Sequence, residues 1–416
     1  MSITTPRGFR ASGVTAGLKA SGRPDLALVV NDGPSHAAAA VFTSNRVEAA
    51  PVTWSRQVLS DGIVEAVILN SGGANACTGP QGFQDTHRTA ELVAAADLNE
   101  QLLEERRQEF TFKPYKDYKE MIEKEHLDGV TIVTPDPFHH DIVMHCAEQG
   151  VHMLCEKPLD VTVEGCVKMT EAAEKAGVLL QVDFHKRYDE YHIAMKQKID
   201  AGDLGKIQYG YSHMEDRIEV PKDWFPGWAG KSSPGWFLGI HFFDLARFLM
   251  GANGVAVWAT GCKGRLSGLG VDTYDSISSK VLFDNGATVA FDNSWILPYE
   301  FEAVVNQGIR LVGELGMLEC DSQDRGTITC CTNDKPGMQT HNKSFLRQRF
   351  DKQGREIWDG YGMESIADFA YNLNVLLDGG KISDLGAYPS GQDGIEATKI
   401  AAGVHKSLET GGIVEL

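Results

Sequence analysis

The chain has 416 residues, 42% of them hydrophobic and 23% charged, with a formal net charge of −18. That length accommodates two or three domains and at least one large core. The acidic balance excludes a general nucleic-acid binder or an anionic-membrane binder, which need a basic face, and leaves room for a local basic pocket.

The opening stretch, MSITTPRGFR, lacks the apolar core of a signal peptide. No run is long enough to span a bilayer, so a cytoplasmic protein is expected. The eight cysteines (Cys77, Cys146, Cys155, Cys166, Cys262, Cys320, Cys330, Cys331) are dispersed and form no CxxC pair. That suits free thiols in a reducing compartment.

Residues 1 to about 90 are rich in Ala, Gly, Ser and Val and poor in lysine. Strand-like runs occur at Leu26–Val30, Ala38–Thr43 and Val64–Asn70. A glycine-rich loop follows over Ser71–Gly79, and a short helix is predicted from Gln84 to about Thr89. From about Glu91 the pattern changes. Glu91–Asp97 reads as a strand, and Leu98–Phe110 as a helix with Leu102 and Leu103 as its apolar stripe. Tyr115–His126 repeats the helical pattern. Gly129–Thr134 is a short β-branched run, a buried strand. Asp136-Pro137 supplies an N-cap and a proline for a helix reaching Gln149, stopped by Gly150. A strand at Val151–Cys155, a helix at Thr162–Ala176 and a strand at Val178–Val182 follow. Strand and helix alternating over short links call for right-handed crossovers and a parallel sheet.

After about residue 205 longer β-rich runs dominate: Lys206–Arg217, Val255–Gly261, Tyr274–Phe283, Ala287–Ile296, Phe301–Val312 and Thr327–Thr332. Asp284-Asn285-Gly286 marks a tight hairpin. Helices are predicted at about 187–201, 236–250, 362–378 and 392–408. The expected fold is α/β: an incomplete or altered Rossmann-type parallel sheet over 91–183, then an α+β domain with a large, mostly antiparallel sheet over 184–416. Residues 1–90 form a separate N-terminal segment.

One stretch carries chemistry. Val151–Cys155 is an apolar strand ending in Glu156-Lys157-Pro158. Taken alone, that tripeptide reads first as a charged surface turn. Ligands, however, bind outside the carboxyl ends of parallel strands, and a lysine held there is placed for proton transfer. His241 and Asp244 are spaced to share one helix face, although Phe237, Phe242, Phe243 and Phe248 also make that helix a core element. His139, His140, His145, Cys146, His152 and Cys155 cluster in sequence, but their spacings match no common zinc pattern, so no metal site is expected.

From about Glu91 onward the chain resembles the Gfo/Idh/MocA family of NAD(P)-dependent oxidoreductases. The carrying motifs are Ala95-Ala96-Asp97, Thr134–His139, Cys155-Glu156-Lys157-Pro158, Asp183–Tyr188, Gly202–Ile207 and Trp236–Asp244, in the family's order. The resemblance implies Lys157 as acid/base, assisted by His241. It implies Asp97, Thr134, Pro135, His139, Glu156 and Lys157 at the cofactor, and His185, Arg187, Tyr188 and Asp244 at the substrate. Asp97 would favour NAD over NADP by repelling a 2′-phosphate; NADP stays open. The implied substrate is a sugar, cyclitol or related polyol, and the implied assembly a homodimer or homotetramer built on the sheet. Phe237 departs from the pattern, because many members carry an acidic residue there.

The first 90 residues resemble instead the N-terminal part of the ornithine acetyltransferases (glutamate N-acetyltransferases). Gly8-Phe9-Arg10, Ala16–Lys19, Val41–Asn45 and Asn70–Gly79 carry that likeness. The site at which that family cleaves itself to expose a nucleophilic threonine is absent. The chain therefore reads as a chimera in which the first Rossmann strand and its Gly-x-Gly-x-x-Gly loop are replaced. Val64–Asn70, the Gly72–Gly79 loop and residues 83–90 are one arrangement that would fill the vacancy. The rival to an oxidoreductase is a non-catalytic chimera with impaired cofactor binding. Acetyl transfer by a fragment comes third.

Overall fold

A computed structural model describes strands 9–14, 26–31 and 66–70, residues 94–109 and 112–321, strands 327–331, 337–341, 346–350 and 356–360, and residues 362–416. The chain divides into two compact units, one containing residues 1–92 and the other starting at Val93.

In the first unit β1 (Phe9–Val14), β2 (Leu26–Asn31) and β3 (Ala66–Asn70) form a three-stranded antiparallel sheet in that order. Val67 stands opposite Val29. This overturns the idea that 64–70 fills the vacant place in the parallel sheet, because its backbone groups are committed to β2. An antiparallel neighbour needs only a return loop, whereas a parallel one needs a full crossover. The glycine loop 71–79, the helix expected at 84–89 and the strand expected at 38–43 lie outside the described residues.

The second unit begins with β4 (Ala94–Ala96), α1 (Glu100–Glu109), β5 (Lys113–Tyr115), α2 (Tyr118–Glu125) and β6 (Gly129–Ile132). Next come α3 (His139–Gln149), β7 (His152–Cys155), α4 (Val163–Ala176) and β8 (Leu180–Val182). Local chemistry sets the helix ends. Asp117 caps α2 by accepting from the Lys119 N–H, and Thr162 caps α4 by accepting from the Gly165 N–H. Gly150 and Gly177 stop α3 and α4 at φ 74° and 71°, where a side chain would be strained. Asp136 is not the cap expected of it: α3 begins at His139, after a turn over Asp136–Phe138. Asp136 is instead the first residue of that single 3-10 turn, with Pro137 inside it, and its buried carboxylate accepts from Ser232 Oγ at 3.2 Å.

The parallel sheet is in two pieces. β4 pairs with β5, and β6, β7 and β8 pair with one another, all in parallel. In the doubly wound order 3-2-1-4-5-6 the first strand lies between the second and the fourth. The break between β4 and β6 falls at that position. The two pieces are joined by packing: Ala94, Ala96 and Tyr115 contact the core that includes Met121, Ile122 and Val143.

The rest comprises α5 (Glu190–Asp200), β9 (Ile207–Arg217), α6 (Ile240–Met250), β10 (Gly254–Cys262), β11 (Ser276–Phe283), β12 (Thr288–Leu297), β13 (Val305–Gly313) and β14 (Met317–Asp321). Hairpins β15–β16 (327–331, 337–341) and β17–β18 (346–350, 356–360) follow, then α7 (Met363–Leu377), α8 (Gly391–Thr410) and β19 (Val414–Glu415). The large sheet has seven strands in the order β14-β13-β9-β12-β11-β10-β19. It is antiparallel except for β9 beside β12. The Asp284-Asn285-Gly286 hairpin forms as expected, with Gly286 at φ 86°. Helices α6 and α8 pack on its inner side. At Gly403 an added Cβ would stand 2.2 Å from the Leu416 side chain and 2.9 Å from that of Val257, so the absent side chain permits the close approach of α8 to β10. On strand β9, Tyr209 and Tyr211 are 54% and 44% exposed, and on β10 Trp258 is 47% exposed. Among the described residues no helix is long and apolar enough to cross a membrane.

Candidate active site

The register of the parallel strands aligns their carboxyl ends. Ile132 pairs with Cys155, and Cys155 with Val182. The loops beginning at Val133, Glu156 and Asp183 therefore leave the sheet at one level. The ring nitrogens of His139 lie 2.7 Å from the Thr134 carbonyl and 2.8 Å from the Pro158 carbonyl. His139 is fully buried. It straps the loop after β6 to the loop after β7, and this takes up both nitrogens expected to face a cofactor.

Lys157 follows β7 and is 8% exposed. Its Nζ donates to the Phe237 carbonyl at 3.2 Å and sits 4.6 Å from the centre of the Phe237 ring. Position 237, where a carboxylate was expected in many relatives, thus offers a carbonyl and an aromatic face. The Glu156 carboxylate accepts from the Lys157 backbone N–H at 2.9 Å, fixing the turn. His241, on the first turn of α6, is 5% exposed, and its ring meets that of His185 edge-on at 4.9 Å. Nδ1 of His241 has no hydrogen-bond partner. Burial pushes both imidazoles well below their ordinary pKa, with Lys157 and Lys186 adding to the effect. Both rings are therefore neutral at pH 7, able to donate at one nitrogen and accept at the other.

Arg187 and Asp244, expected at the substrate, are occupied with each other. Arg187 Nε and Nη2 donate to the Asp244 carboxylate at 2.7 and 2.6 Å, and Arg187 also pairs with Asp393 at 2.8 Å. Arg247 completes the network, 3.3 Å from Asp244 and 3.5 Å from Asp393. With both donor edges of the guanidinium bound inside the protein, the group braces the turn after β8 against α6 and α8. Tyr188 likewise donates to Asp368 at 2.7 Å, reaching α7. Asp97 is exposed at the end of β4 and accepts from the Asn99 N–H at 2.7 Å; Asn99, not Asp97, caps α1 through the Leu102 N–H.

Three acidic or basic groups missed by sequence reasoning also border this region. Asp183 is 8% exposed, and burial followed by the nearby Glu156 charge pushes its carboxyl up to about 7. Lys186 is 3% exposed, brought down to about 8 by burial, and donates to Gln307 Oε1. Asp216 is 2% exposed, and burial pushes it up to about 7. The signal for Asp216 was available: it continues the inward alternation of Ser212 and Met214 on β9.

His192, behind Lys186, gives a pH test of the surroundings. It is fully buried, with Nδ1 2.8 Å from the Lys186 carbonyl, and burial brings its pKa down to about 4. The unfolded chain takes up this proton near 6.5, the folded chain only near 4. Its stabilising contribution is therefore complete above about pH 6.5 and is lost as pH falls toward 4. His192→Gln is expected to reduce the pH dependence of the unfolding free energy in that window by about one proton. An unchanged slope would mean that His192 titrates alike in both states.

A split parallel sheet with lysine and histidines at its carboxyl ends, joined to a large antiparallel sheet, defines the two-domain dehydrogenase architecture. Residues 65–184 match the oxidoreductase family with an NAD-binding Rossmann fold, and residues 192–319 match the Gfo/Idh/MocA C-terminal domain. From residue 65 to 319 the chain belongs to the Gfo/Idh/MocA family, while residues 10–104 match the ArgJ family, so it joins parts of two families. The change of strand pairing between β3 and β4 falls inside the overlap of the two matches.

The arginine biosynthesis bifunctional protein ArgJ of Streptomyces avermitilis is 71% identical over 100 residues, 24% of this chain and 26% of that protein. That of Mycobacterium leprae is 69% identical over 94 residues, 23% of each. The chain thus spans about a quarter of the length of the curated relatives it matches. Among solved structures, myo-inositol 2-dehydrogenase from Lactobacillus plantarum aligns with a TM-score of 0.63 at 22% identity, covering 78% of this chain and 91% of that one. Scyllo-inositol dehydrogenase from Lactobacillus casei, with bound NAD(H) and scyllo-inositol, aligns with a TM-score of 0.61 at 18% identity, covering 79% and 93%. These likenesses show the fold.

The loop after β6 offers one polar group to a nicotinamide dinucleotide. Thr134 Oγ1, in the loop after β6, is buried without a partner, a polar atom that a bound group would satisfy. Among the described residues no strand lies between β4 and β6 to lead into a pyrophosphate-cradling loop and helix.

Proposed function

We propose that the segment from about residue 91 onward acts as an NAD(H)-dependent oxidoreductase on a sugar, cyclitol or related polyol. The observation that carries this reading is the convergence of Lys157 and His241, with His185 edge-on to His241, around the carboxyl ends of the parallel strands. A bound nicotinamide supplies the hydride acceptor or donor. Lys157 takes or returns the proton of the substrate hydroxyl, and neutral His241 hydrogen-bonds that oxygen through its unused Nδ1. Glu156 orients Lys157. Thr134 and Pro135 line the cleft, and Asp97 selects NAD over NADP by repelling a 2′-phosphate. His185 contacts the substrate, while Arg187, Tyr188 and Asp244 hold its turn and α6 in place. The inositols named for the two Lactobacillus enzymes support a cyclic polyol as substrate.

Titrating the full chain with NADH and following nucleotide fluorescence tests this. Saturable micromolar binding, weakened by Asp97→Ala, is expected; no binding at millimolar NADH would sink the proposal. The break in the parallel sheet favours a second reading, in which the chain keeps its large sheet but binds dinucleotide too weakly to turn over. Acetyl transfer has the least support, since only about a quarter of the ArgJ length is represented.

A further inference from the structure

The Lys157 ammonium donates to a backbone carbonyl, that of Phe237. A carbonyl positions a charge only as firmly as its own peptide is fixed, and Phe237 lies in the connection between β9 and α6. Two adjacent serines fix that connection. Ser233 is 4% exposed. Its carbonyl accepts from the Phe237 N–H at 2.9 Å, and its Oγ accepts from the Trp236 N–H at 3.2 Å, so it starts the helical turn Gly235–Gly239. The same Oγ lies 2.7 Å from His405 Nε2 on α8. His405 Nδ1 is 2.7 Å from the Ala401 carbonyl, which only accepts, so Nδ1 carries the proton and Nε2 accepts from the serine hydroxyl. Trp236 stacks on the His405 ring, centres 5.1 Å apart. Ser232 is held from two other directions: its Oγ donates to Asp136 at 3.2 Å, and its carbonyl accepts from Thr273 Oγ1 at 2.7 Å. A serine beside a histidine can be a nucleophile, but the Ser233 hydroxyl is buried and engaged by its own turn, which makes it a clamp.

These contacts close a ring. Asp136 opens the turn that leads to His139, and His139 reaches the Pro158 carbonyl, next to Lys157. Lys157 Nζ reaches Phe237, Phe237 reaches Ser233, and Ser232 returns to Asp136. We propose that Ser233 is a positioning residue for Lys157: held by His405 on α8 and, through Ser232, by Asp136 in the loop after β6, it sets the Phe237 carbonyl where it receives the ammonium. The catalytic meaning of this role rests on the reading of Lys157 as acid/base; the placing of the ammonium stands without it. The two anchors belong to different elements, a loop of the parallel sheet and a helix packed on the large sheet. The position of Lys157 therefore depends on both, and loosening either anchor frees the ammonium.

The test is reductive methylation of lysines on the full chain, with formaldehyde and a borohydride reagent, read residue by residue by peptide mass spectrometry. Lys157 and Lys186 are both buried, and Lys186 is held elsewhere, by Gln307 on β13, so it is the control. Ser233→Ala is expected to raise the labelling rate of Lys157 about tenfold, the order for a charged group that loses one hydrogen bond, and to leave that of Lys186 unchanged. His405→Phe keeps a ring against Trp236 but removes the acceptor; it gives the same result and provides the decision where Ser233→Ala does not fold. Asp136→Ala also raises Lys157 labelling, whereas Asp136→Asn, whose side-chain oxygen still accepts from Ser232, keeps the wild-type rate. Unchanged Lys157 labelling in any of the three disruptive variants, or an equal rise at Lys186, overturns the proposal. With a cyclic polyol and NAD, Ser233→Ala should lower kcat without changing NADH affinity. Absence of polyol turnover in wild type would count against the oxidoreductase function, and the labelling would still decide the role of Ser233.

Discussion

Replacing Lys157 with methionine is expected to lower turnover about 100- to 10,000-fold, the range for loss of a positioned general acid or base, while NADH affinity stays nearly unchanged. Methionine keeps an unbranched side chain of similar length, so it fills the space against Phe237 but cannot carry a proton. The site offers no replacement at the same atom. His241 is neutral and held on α6, and the Glu156 carboxylate is bonded to the Lys157 backbone N–H. Because Lys157 is 8% exposed, water does not readily substitute for it. Turnover and fluorescence titration on one preparation separate proton transfer from binding. A variant retaining more than a few per cent of wild-type turnover would exclude Lys157 as the acid/base.

The second large effect concerns stability. Asp244→Ala is expected to cost about 3–5 kcal/mol, because it leaves two buried guanidinium groups facing one carboxylate. Asp244 is 1% exposed, with Arg187 Nη2 at 2.6 Å and Arg247 Nη1 at 3.3 Å. Burial opposes ionisation of Asp244, and the charge and hydrogen bonds of Arg187 favour it. The pair is retained because the network is closed: Asp393 binds both arginines, and Arg247 also donates to Asn253 Oδ1 at 2.9 Å. The urea midpoint should fall at constant m-value. The double variant Arg187→Met/Asp244→Leu should lose less than Asp244→Ala alone, since it removes the charges together. A loss under about 1 kcal/mol for Asp244→Ala would place this pair with solvent-screened surface bridges and contradict its role as the brace of the site.

Much of this protein was readable along the chain. The stop at Gly150 and the helix after Thr162 depend on residues within one turn and were legible, whereas the helix expected over Tyr115–His126 starts only at Tyr118, because Lys113–Tyr115 pairs as β5 and Asp117 supplies the cap. The alternation of short apolar strands with helices implied a parallel sheet, and Asp284-Asn285-Gly286 implied its hairpin, because strand period and turn conformation are short-range properties. The chimeric texture and the missing glycine loop were also sequence properties. Tertiary structure alone decided the partners. It committed β3 to β2, committed Arg187 to Asp244 and Asp393, and turned His139 into a strap between loops. Each of those outcomes depends on groups distant in sequence competing for the same buried hydrogen bonds and charges. Residue type and spacing cannot rank such competitors, because the energy of a buried polar group is set by whichever partner the fold brings within reach.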